Sequence, residues 1–216
     1  MSFLKNYKFG ILFVLIFRIL LFTIIIANIV YYHNWLNLFV AVIALLSTFI
    51  PDILSERNIL IIPSDIKLMI IVFIFASLYL GSLRSFYYRF WWWDLMLHTA
   101  AGLNLGFIGF FSLYFINKNK HIDLILSPTF IAIFTFAFAV CLGTLWEIFE
   151  FSMDIIFGLN MQKSGLVDTM WDLIVDCIGS GMAAIISYIY LKKGLPSYFE
   201  KGIKKIFKKN IQFFEE

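Results

Sequence analysis

Charged residues are scarce in this sequence. Of its 216 residues, 14% are charged and 62% are hydrophobic, and the mean hydropathy is +0.89. A soluble domain carries about 25% charged residues and about 45–50% apolar ones. A soluble globular enzyme and a disordered chain are therefore excluded, and the composition predicts an all-α, polytopic helical membrane protein.

Cysteine is also rare. The chain has two, Cys141 and Cys177, and both lie within apolar runs. Two cysteines placed in this way supply neither a disulfide framework nor the paired spacing of a zinc site. A disulfide-rich secreted domain is therefore excluded, and we expect both thiols to be buried in lipid.

Six apolar runs are long enough to cross a hydrocarbon layer of about 30 Å. These runs are Phe9–Val30, Leu36–Leu54, Ile66–Leu83, Asp94–Ile116, Ser127–Phe151 and Met170–Leu191. They predict a transmembrane domain of about six helices over residues 1–191. The first run is too long for the core of a signal peptide and no small-residue cleavage site follows it, so we expect an uncleaved anchor.

Lysine and arginine are distributed unevenly between the two sides of this topology. Thirteen of the 17 lie in the N-terminus, the second and fourth loops and the C-terminal tail, whereas three lie on the opposite side. Positive residues accumulate in cytoplasmic loops, so both termini are predicted to be cytoplasmic. The tail, residues 192–216, alternates apolar residues and lysines at helical spacing. This pattern indicates a basic amphipathic helix on anionic lipid, with a helix that binds a partner protein as the alternative.

Half of the 14 acidic residues lie at or within the last three predicted spans, together with His98. An ionised group within a span costs about 2.5–3.5 kcal/mol and needs a partner or water. So many of them predict a shared polar site. Its candidate members are Asp94, His98, Glu147, Glu150, Asp154, Asp168, Asp172 and Asp176.

The positions of these residues along the spans predict one level in the membrane. His98 lies 20 residues before Lys118 and Asp172 lies 20 residues before Lys192, at the cytoplasmic ends of their spans. Glu147 lies 20 residues after Ser127, at the cytoplasmic end of its own span. At about 1.5 Å per residue, all three reach about 30 Å from the inner boundary. Within each span the polar residues are three or four apart and share one side of the helix. We therefore expect a carboxylate-rich cluster near the outer surface.

Such a cluster cannot stay fully ionised at neutral pH, so we expect it to bind a divalent metal ion or to share protons. Carboxylates with one histidine favour Mg, Mn, Ca or Fe, and Zn also remains open. The predicted ligands are His98, Glu147, Glu150, Asp172 and Asp176. The predicted acid–base groups are His98, Glu147 and Asp176, while Asp94 is expected to orient His98 and Asp168 to support the site.

Plainer interpretations exist for the same groups. Asp94 follows three tryptophans and is also typical of a helix start, and Asp154 and Asp168 also suit loops or caps. Arg84 and Arg89 are interpreted either as interfacial anchors or as groups that capture a phosphate-bearing lipid head group.

Other positions carry expectations about packing. Arg18 lies inside the first span and needs a carboxylate, a carbonyl group or water. Small residues in the last three spans are expected to let these helices pack closely around the cluster. They are Gly102, Gly106, Gly179, Gly181 and Ala183.

The polar residues of the last three spans lie in short motifs that follow one another in the order found in a known protein family. The segment from Phe86 to Asp94 leads to His98, and W-E-I-F-E, D-T-M-W-D and Asp176 follow. From about Pro51 to Leu191 the chain resembles the YjdF-like family of uncharacterised bacterial membrane-spanning proteins. More loosely it resembles VanZ-like proteins, which usually have Asn where this chain has Asp176. The resemblance implies a protein of the bacterial plasma (inner) membrane and supplies no reaction.

The leading hypothesis is a metal-dependent membrane enzyme, a hydrolase or transferase, that acts on a lipid or cell-envelope precursor. The expected partners are membrane lipids and a lipid-linked or phosphate-bearing substrate, with no nucleic acid. A proton- or cation-coupled transporter is one alternative, although the inner halves of the last three spans lack acids. A non-catalytic scaffold, in which the polar groups lock three helices together, is the other.

Overall fold

The structure is a computed structural model that describes residues 2–33, 35–56, 64–118 and 126–193. Within these ranges all regular structure is helical and no strand occurs. The chain divides after Trp93 into two compact units. Apart from Lys192 and Lys193, the predicted basic tail lies outside the described residues, so the division of the chain at residue 191 stays a prediction.

The described part of the first unit contains five α-helices and two π-helical segments. The α-helices are α1 (Ser2–Ala27), α2 (Trp35–Ser47), α3 (Ile50–Glu56), α4 (Ser64–Ile74) and α5 (Phe86–Arg89). One π-helical segment (Asn28–Tyr32) continues α1, and the other (Phe75–Leu83) continues α4. Phe17, Leu21, Ala44 and Ile71 form the buried core. The Phe17 and Phe75 rings meet edge to face at 5.1 Å, a favourable aromatic geometry.

The second predicted span is not one continuous helix, because the chain breaks between α2 and α3. Pro51 has no N–H to donate. The next amide, of Asp52, donates to the carbonyl of Phe49 rather than to that of Thr48. Arg18 Nη2 donates instead to the Thr48 carbonyl at 2.7 Å and to Asp52 Oδ2 at 2.9 Å. The carboxylate and carbonyl partners predicted for Arg18 are therefore both present.

The second unit contains three long helices, α6 (Trp93–Lys118), α7 (Pro128–Phe157) and α8 (Leu166–Lys193). The Ser127 side chain accepts a hydrogen bond from the Phe130 amide, and Pro128 occupies the first helical position, which is a strong N-terminal signal. α7 extends past its predicted end at Phe151 as far as Phe157. Gly158, with φ +64°, then ends the helix in the left-handed conformation that glycine adopts readily.

Among the described residues, four helices are long and apolar enough to cross a membrane. They are Ile11–Tyr32, Trp93–Tyr114, Pro128–Phe157 and Leu166–Lys193. The second and third predicted spans correspond to two shorter apolar helical stretches, Asn37–Ile53, which includes the break between α2 and α3, and Lys67–Leu83. The fold is therefore an all-helical membrane architecture, whereas the count of six spans and the orientation stay predictions.

Glycines set the distance between α6 and α8. A Cβ atom on Gly102 would lie 2.5 Å from the Asp176 carbonyl oxygen, and one on Gly106 would lie 2.5 Å from the Ala183 Cβ. A Cβ on Gly179 would collide with the Thr99 carbonyl oxygen. The predicted close packing therefore exists. Gly181 is the exception, because a Cβ there would meet nothing within 4 Å.

Candidate metal centre

The polar cluster lies at one end of the second unit, where α6 begins, α7 ends and α8 begins. His98 is in the second turn of α6, Asp172 and Asp176 are in the second and third turns of α8, and Glu147 is in the last third of α7. All four are buried, with exposed fractions of 8% for His98, 3% for Glu147 and 2% for each aspartate. The three helices therefore bring their polar sides together.

Asp94, His98 and Asp172 form the tightest group. Each offers one ligand atom, and the three atoms lie within 4.8 Å of one another. Asp94 and His98 come from successive turns of α6, so the helix itself places both on one side. The third ligand atom comes from α8, which the glycine contacts hold against α6.

The two ring nitrogens of His98 have different surroundings. Nδ1 lies 3.4 Å from Asp176 Oδ2, within hydrogen-bonding distance. Nε2 lies 3.9 Å from Asp94 Oδ1 and 3.8 Å from Glu147 Oε1, both too long for a hydrogen bond. The imidazole therefore has one carboxylate at its Nδ1 edge and two carboxylates around Nε2.

Glu147 is buried without a hydrogen-bond partner. Neither of its carboxylate oxygens accepts a hydrogen bond from any described residue, and Asp168 Oδ2 is in the same condition. Leaving a buried acceptor unsatisfied costs about 1–3 kcal/mol, and more for a charged group. A buried carboxyl group of this kind next to His98 is a candidate to bind a cation or to hold a proton.

Glu150, one turn after Glu147 on α7, makes a hydrogen bond that Glu147 does not. Its Oε1 accepts a hydrogen bond of 3.0 Å from Nε1 of Trp146, an indole that is 47% exposed. Glu150 is not one of the three residues whose ligand atoms converge. The carboxylate that approaches His98 from α7 is that of Glu147.

Asp154 organises the loop between α7 and α8. Its carboxylate oxygens accept hydrogen bonds from the amides of Met161 and Gln162 at 2.7 and 2.9 Å. Gly158 and Gly165, both with φ +64°, turn the chain at the two ends of this loop. Asp154 itself lies in the last turns of α7, and its carboxylate caps backbone amides of the loop, as the plainer interpretation of a cap residue expects.

Lys163 is the residue that the sequence did not single out. It extends from the loop and forms an ion pair with Asp94 Oδ2. Both side chains are largely buried, with exposed fractions of 21% and 16%. The available signal was that this lysine lies in the short loop that must cross the same end of the helices as the acids.

Arg84 and Arg89 belong to the first unit. Arg84 follows the second π-helical segment, and its amide donates to the Tyr79 carbonyl at 2.9 Å. Arg89 is the last residue of α5. Their role in binding a phosphate group stays a prediction.

Comparisons with known proteins give a family. An uncharacterized protein of Thermotoga maritima is 35% identical over 128 residues, which are 59% of this chain and 64% of that relative. The chain thus spans less than two thirds of the relative's length. No solved structure matches this chain. The family model described as predicted membrane protein (DUF2238) matches residues 11–193, which contain the four candidate spans and the whole polar cluster. The chain therefore belongs to the DUF2238 family of predicted membrane proteins.

Proposed function

We propose that the polar cluster binds one divalent metal ion and that the protein is a membrane-embedded, metal-dependent enzyme. The observation that carries this proposal is the convergence of one ligand atom each from Asp94, His98 and Asp172 within 4.8 Å. Ligand atoms that surround one ion at about 2.1 Å are about 3.0–3.4 Å apart. A small closure of the three side chains would therefore bring their ligand atoms to this spacing and leave positions open for water or substrate.

The environment of the ligands also favours a cation. Asp94, Asp172, Asp176 and Glu147 crowd around a single imidazole, and Lys163 supplies one positive charge. Carboxylates this close cannot all be ionised unless a cation neutralises them. The two oxygens of Glu147, which accept no hydrogen bond from the described residues, also favour a bound cation.

In this proposal Glu147 is the acid–base group beside the metal. It reaches His98 Nε2 at 3.8 Å but is not part of the three-residue group, so it lies next to the ligands rather than among them. A bound divalent ion supplies Lewis acidity and lowers the pKa of a bound water. Glu147 is then placed to accept a proton, and Asp168, whose Oδ2 accepts no hydrogen bond from described residues, supports the same end of α8.

A lipid or cell-envelope precursor that carries phosphate is the proposed substrate class. α7 and α8 expose apolar side chains beside the cluster, among them Ile148, Phe151 and Met170, as a site that opens to lipid requires. A divalent ion among carboxylates is a common way to bind a phosphate group. Arg84 and Arg89 are retained as candidate phosphate ligands.

The distribution of lysine and arginine supports the proposed location. With six spans and cytoplasmic termini, the cluster lies toward the outer leaflet of a bacterial plasma membrane. The YjdF-like resemblance supports the same location.

The deciding experiment is elemental analysis of protein purified in detergent. We expect about one equivalent of divalent metal in the wild type and loss of it in Asp172→Asn. Gly181→Ala, on the same helix as Asp172, is the matched control, because a Cβ there meets nothing within 4 Å. A wild type without stoichiometric metal, even after loading with Mn²⁺, Zn²⁺ or Mg²⁺, would overturn the proposal. Metal-dependent release of phosphate from lipid phosphates would then establish the enzyme.

A cation transporter is the second candidate. On α8, the line of Asp172 and Asp176 continues through the buried hydroxyls of Ser180 and Ser187, and the Ser187 hydroxyl has no hydrogen-bond partner among the described residues. Buried polar groups in a span often mark ion pathways. Ion flux into proteoliposomes that disappears in Asp172→Asn, without any phosphate release, would favour transport over catalysis.

A further inference from the structure

We propose that Asp176 is a positioning residue that holds His98 through Nδ1, and that Gly143 of α7 provides the space for its carboxylate. This inference rests on the proposed function, because it assumes that Nε2 of the same ring binds the metal. It also exchanges two roles expected from the sequence. Asp94 becomes a ligand, and Asp176 becomes the residue that orients the histidine.

The positions of the two aspartates around the ring support this exchange. Asp176 Oδ2 is 3.4 Å from Nδ1, whereas Asp94 Oδ1 is 3.9 Å from Nε2, and Asp94 is one of the three residues whose ligand atoms converge. A histidine that binds a metal through one nitrogen commonly donates its other N–H to a carboxylate. Such a bond fixes the tautomer and the ring orientation. It would leave the Nε2 lone pair on the side of the ring where Asp94 lies.

Asp176 is held from two sides by glycines of the neighbouring helices. A Cβ atom on Gly143 would collide with Asp176 Oδ2, and one on Gly102 would lie 2.5 Å from the Asp176 carbonyl oxygen. The Ser180 hydroxyl donates to the same carbonyl at 2.6 Å. The backbone and the carboxylate of Asp176 are therefore both confined, and the side chain has little freedom to leave His98.

Gly143 is the feature that distinguishes this arrangement from simple helix packing. The atom that fills the space above it is a carboxylate oxygen, not backbone. A methyl group at position 143 would displace that oxygen from His98 Nδ1 without removing any polar side chain of the cluster. Gly143 should therefore control metal affinity although it has no ligand atom.

Three variants test this role by equilibrium binding of Zn²⁺ and Mn²⁺ to the full chain in detergent. Loss of a carboxylate that orients a metal-binding histidine typically weakens metal affinity about 10–100-fold. We expect a loss in this range for Asp176→Asn and Gly143→Ala. Gly181→Ala is the matched control, because a Cβ there meets nothing within 4 Å. It should keep the wild-type affinity within about twofold.

A second measurement does not depend on Gly143→Ala, so it tests the role of Asp176 even if that variant does not fold. In the zinc-loaded protein, ¹⁵N spectra should show His98 bound to zinc through Nε2 and protonated at Nδ1, with His98→Gln identifying the signals. Zinc bound through Nδ1 would overturn the inference. So would wild-type affinity in both Asp176→Asn and Gly143→Ala, although the metal site itself would stand. A wild type that binds neither ion would instead overturn the proposed function.

Discussion

Lys163 and Asp94 form an ion pair that joins the loop between α7 and α8 to the first turn of α6. Asp94 uses Oδ2 for the ammonium group, while its Oδ1 lies 3.9 Å from His98 Nε2. A lysine and a metal ion would therefore share one carboxylate. The loop lysine limits how much negative charge the cluster presents to an incoming cation.

Replacing this lysine should strengthen cation binding. In Lys163→Met the Asp94 carboxylate loses a neutralising partner, so we expect the affinity for Mn²⁺ to rise about threefold or more, as for loss of a partly buried charge pair. Lys193→Met, which removes a charge at the other end of α8, is the control. Equilibrium dialysis measures both. A fall in affinity would show that Lys163 mainly holds Asp94 in position.

Replacing Glu147 should stabilise the metal-free protein and reduce the further stabilisation that added metal gives. The buried carboxylate accepts no hydrogen bond from described residues, so Glu147→Gln should raise the free energy of unfolding of the metal-free protein by about 1–3 kcal/mol. The variant should gain less than the wild type from added metal, since bound ligand stabilises the folded state.

Unfolding in mixed detergent micelles, with and without EDTA, measures both changes in the free energy of unfolding. Glu150→Gln is the control, because the amide oxygen can still accept from Trp146. A metal-free Glu147→Gln protein that is less stable than the wild type would contradict the prediction.

Two nearby glycines of α8 should respond differently to a methyl group. In Gly179→Ala the new Cβ collides with the Thr99 carbonyl oxygen of α6, and backbone cannot move aside cheaply. We expect a loss of about 1–3 kcal/mol in the free energy of unfolding. Gly181→Ala faces open space and should be neutral or more stable by up to about 1 kcal/mol. Equal effects on thermal unfolding in detergent would refute the proposed close contact.

Arg18 should be essential to the first unit. Its guanidinium group donates to the Thr48 side chain and carbonyl and to Asp52, and it stacks on the Phe49 ring at 3.9 Å. Arg18→Met would leave that carbonyl and carboxylate without these donors, at a cost of about 2–4 kcal/mol. Lys67→Met removes one contact to Asp52 and should cost less. Thermal unfolding compares the two, and an equal or greater loss in Lys67→Met would be the contrary result.

The sequence was sufficient to predict the helices that carry the cluster. The spacing of Asp94 and His98, and of Asp172 and Asp176, predicted which side of each helix is polar, because helix geometry alone determines it. The depth argument also placed His98, Glu147 and Asp172 at one end of three neighbouring helices. These inferences needed only the rise and the period of an α-helix.

Contacts that depend on irregular backbone could not be predicted in this way. The approach of Lys163 to Asp94 follows from the path of a loop with two left-handed glycines, Gly158 and Gly165. The direction of Glu150 depends on its hydrogen bond to Trp146. The break after α2 had a signal in Pro51, since a proline removes a helical hydrogen bond. A prediction from hydropathy alone passed over it.

The order of the helices along the chain has a consequence for biosynthesis. α6 and α7 are translated before α8, so His98 and Glu147 are synthesised before either of the α8 aspartates that complete the cluster. During that interval a charged or polar group on each helix has no final partner, a costly condition in lipid. We therefore expect α6 and α7 to be released into the bilayer only after α8 has been synthesised, when its aspartates can pair with His98 and Glu147.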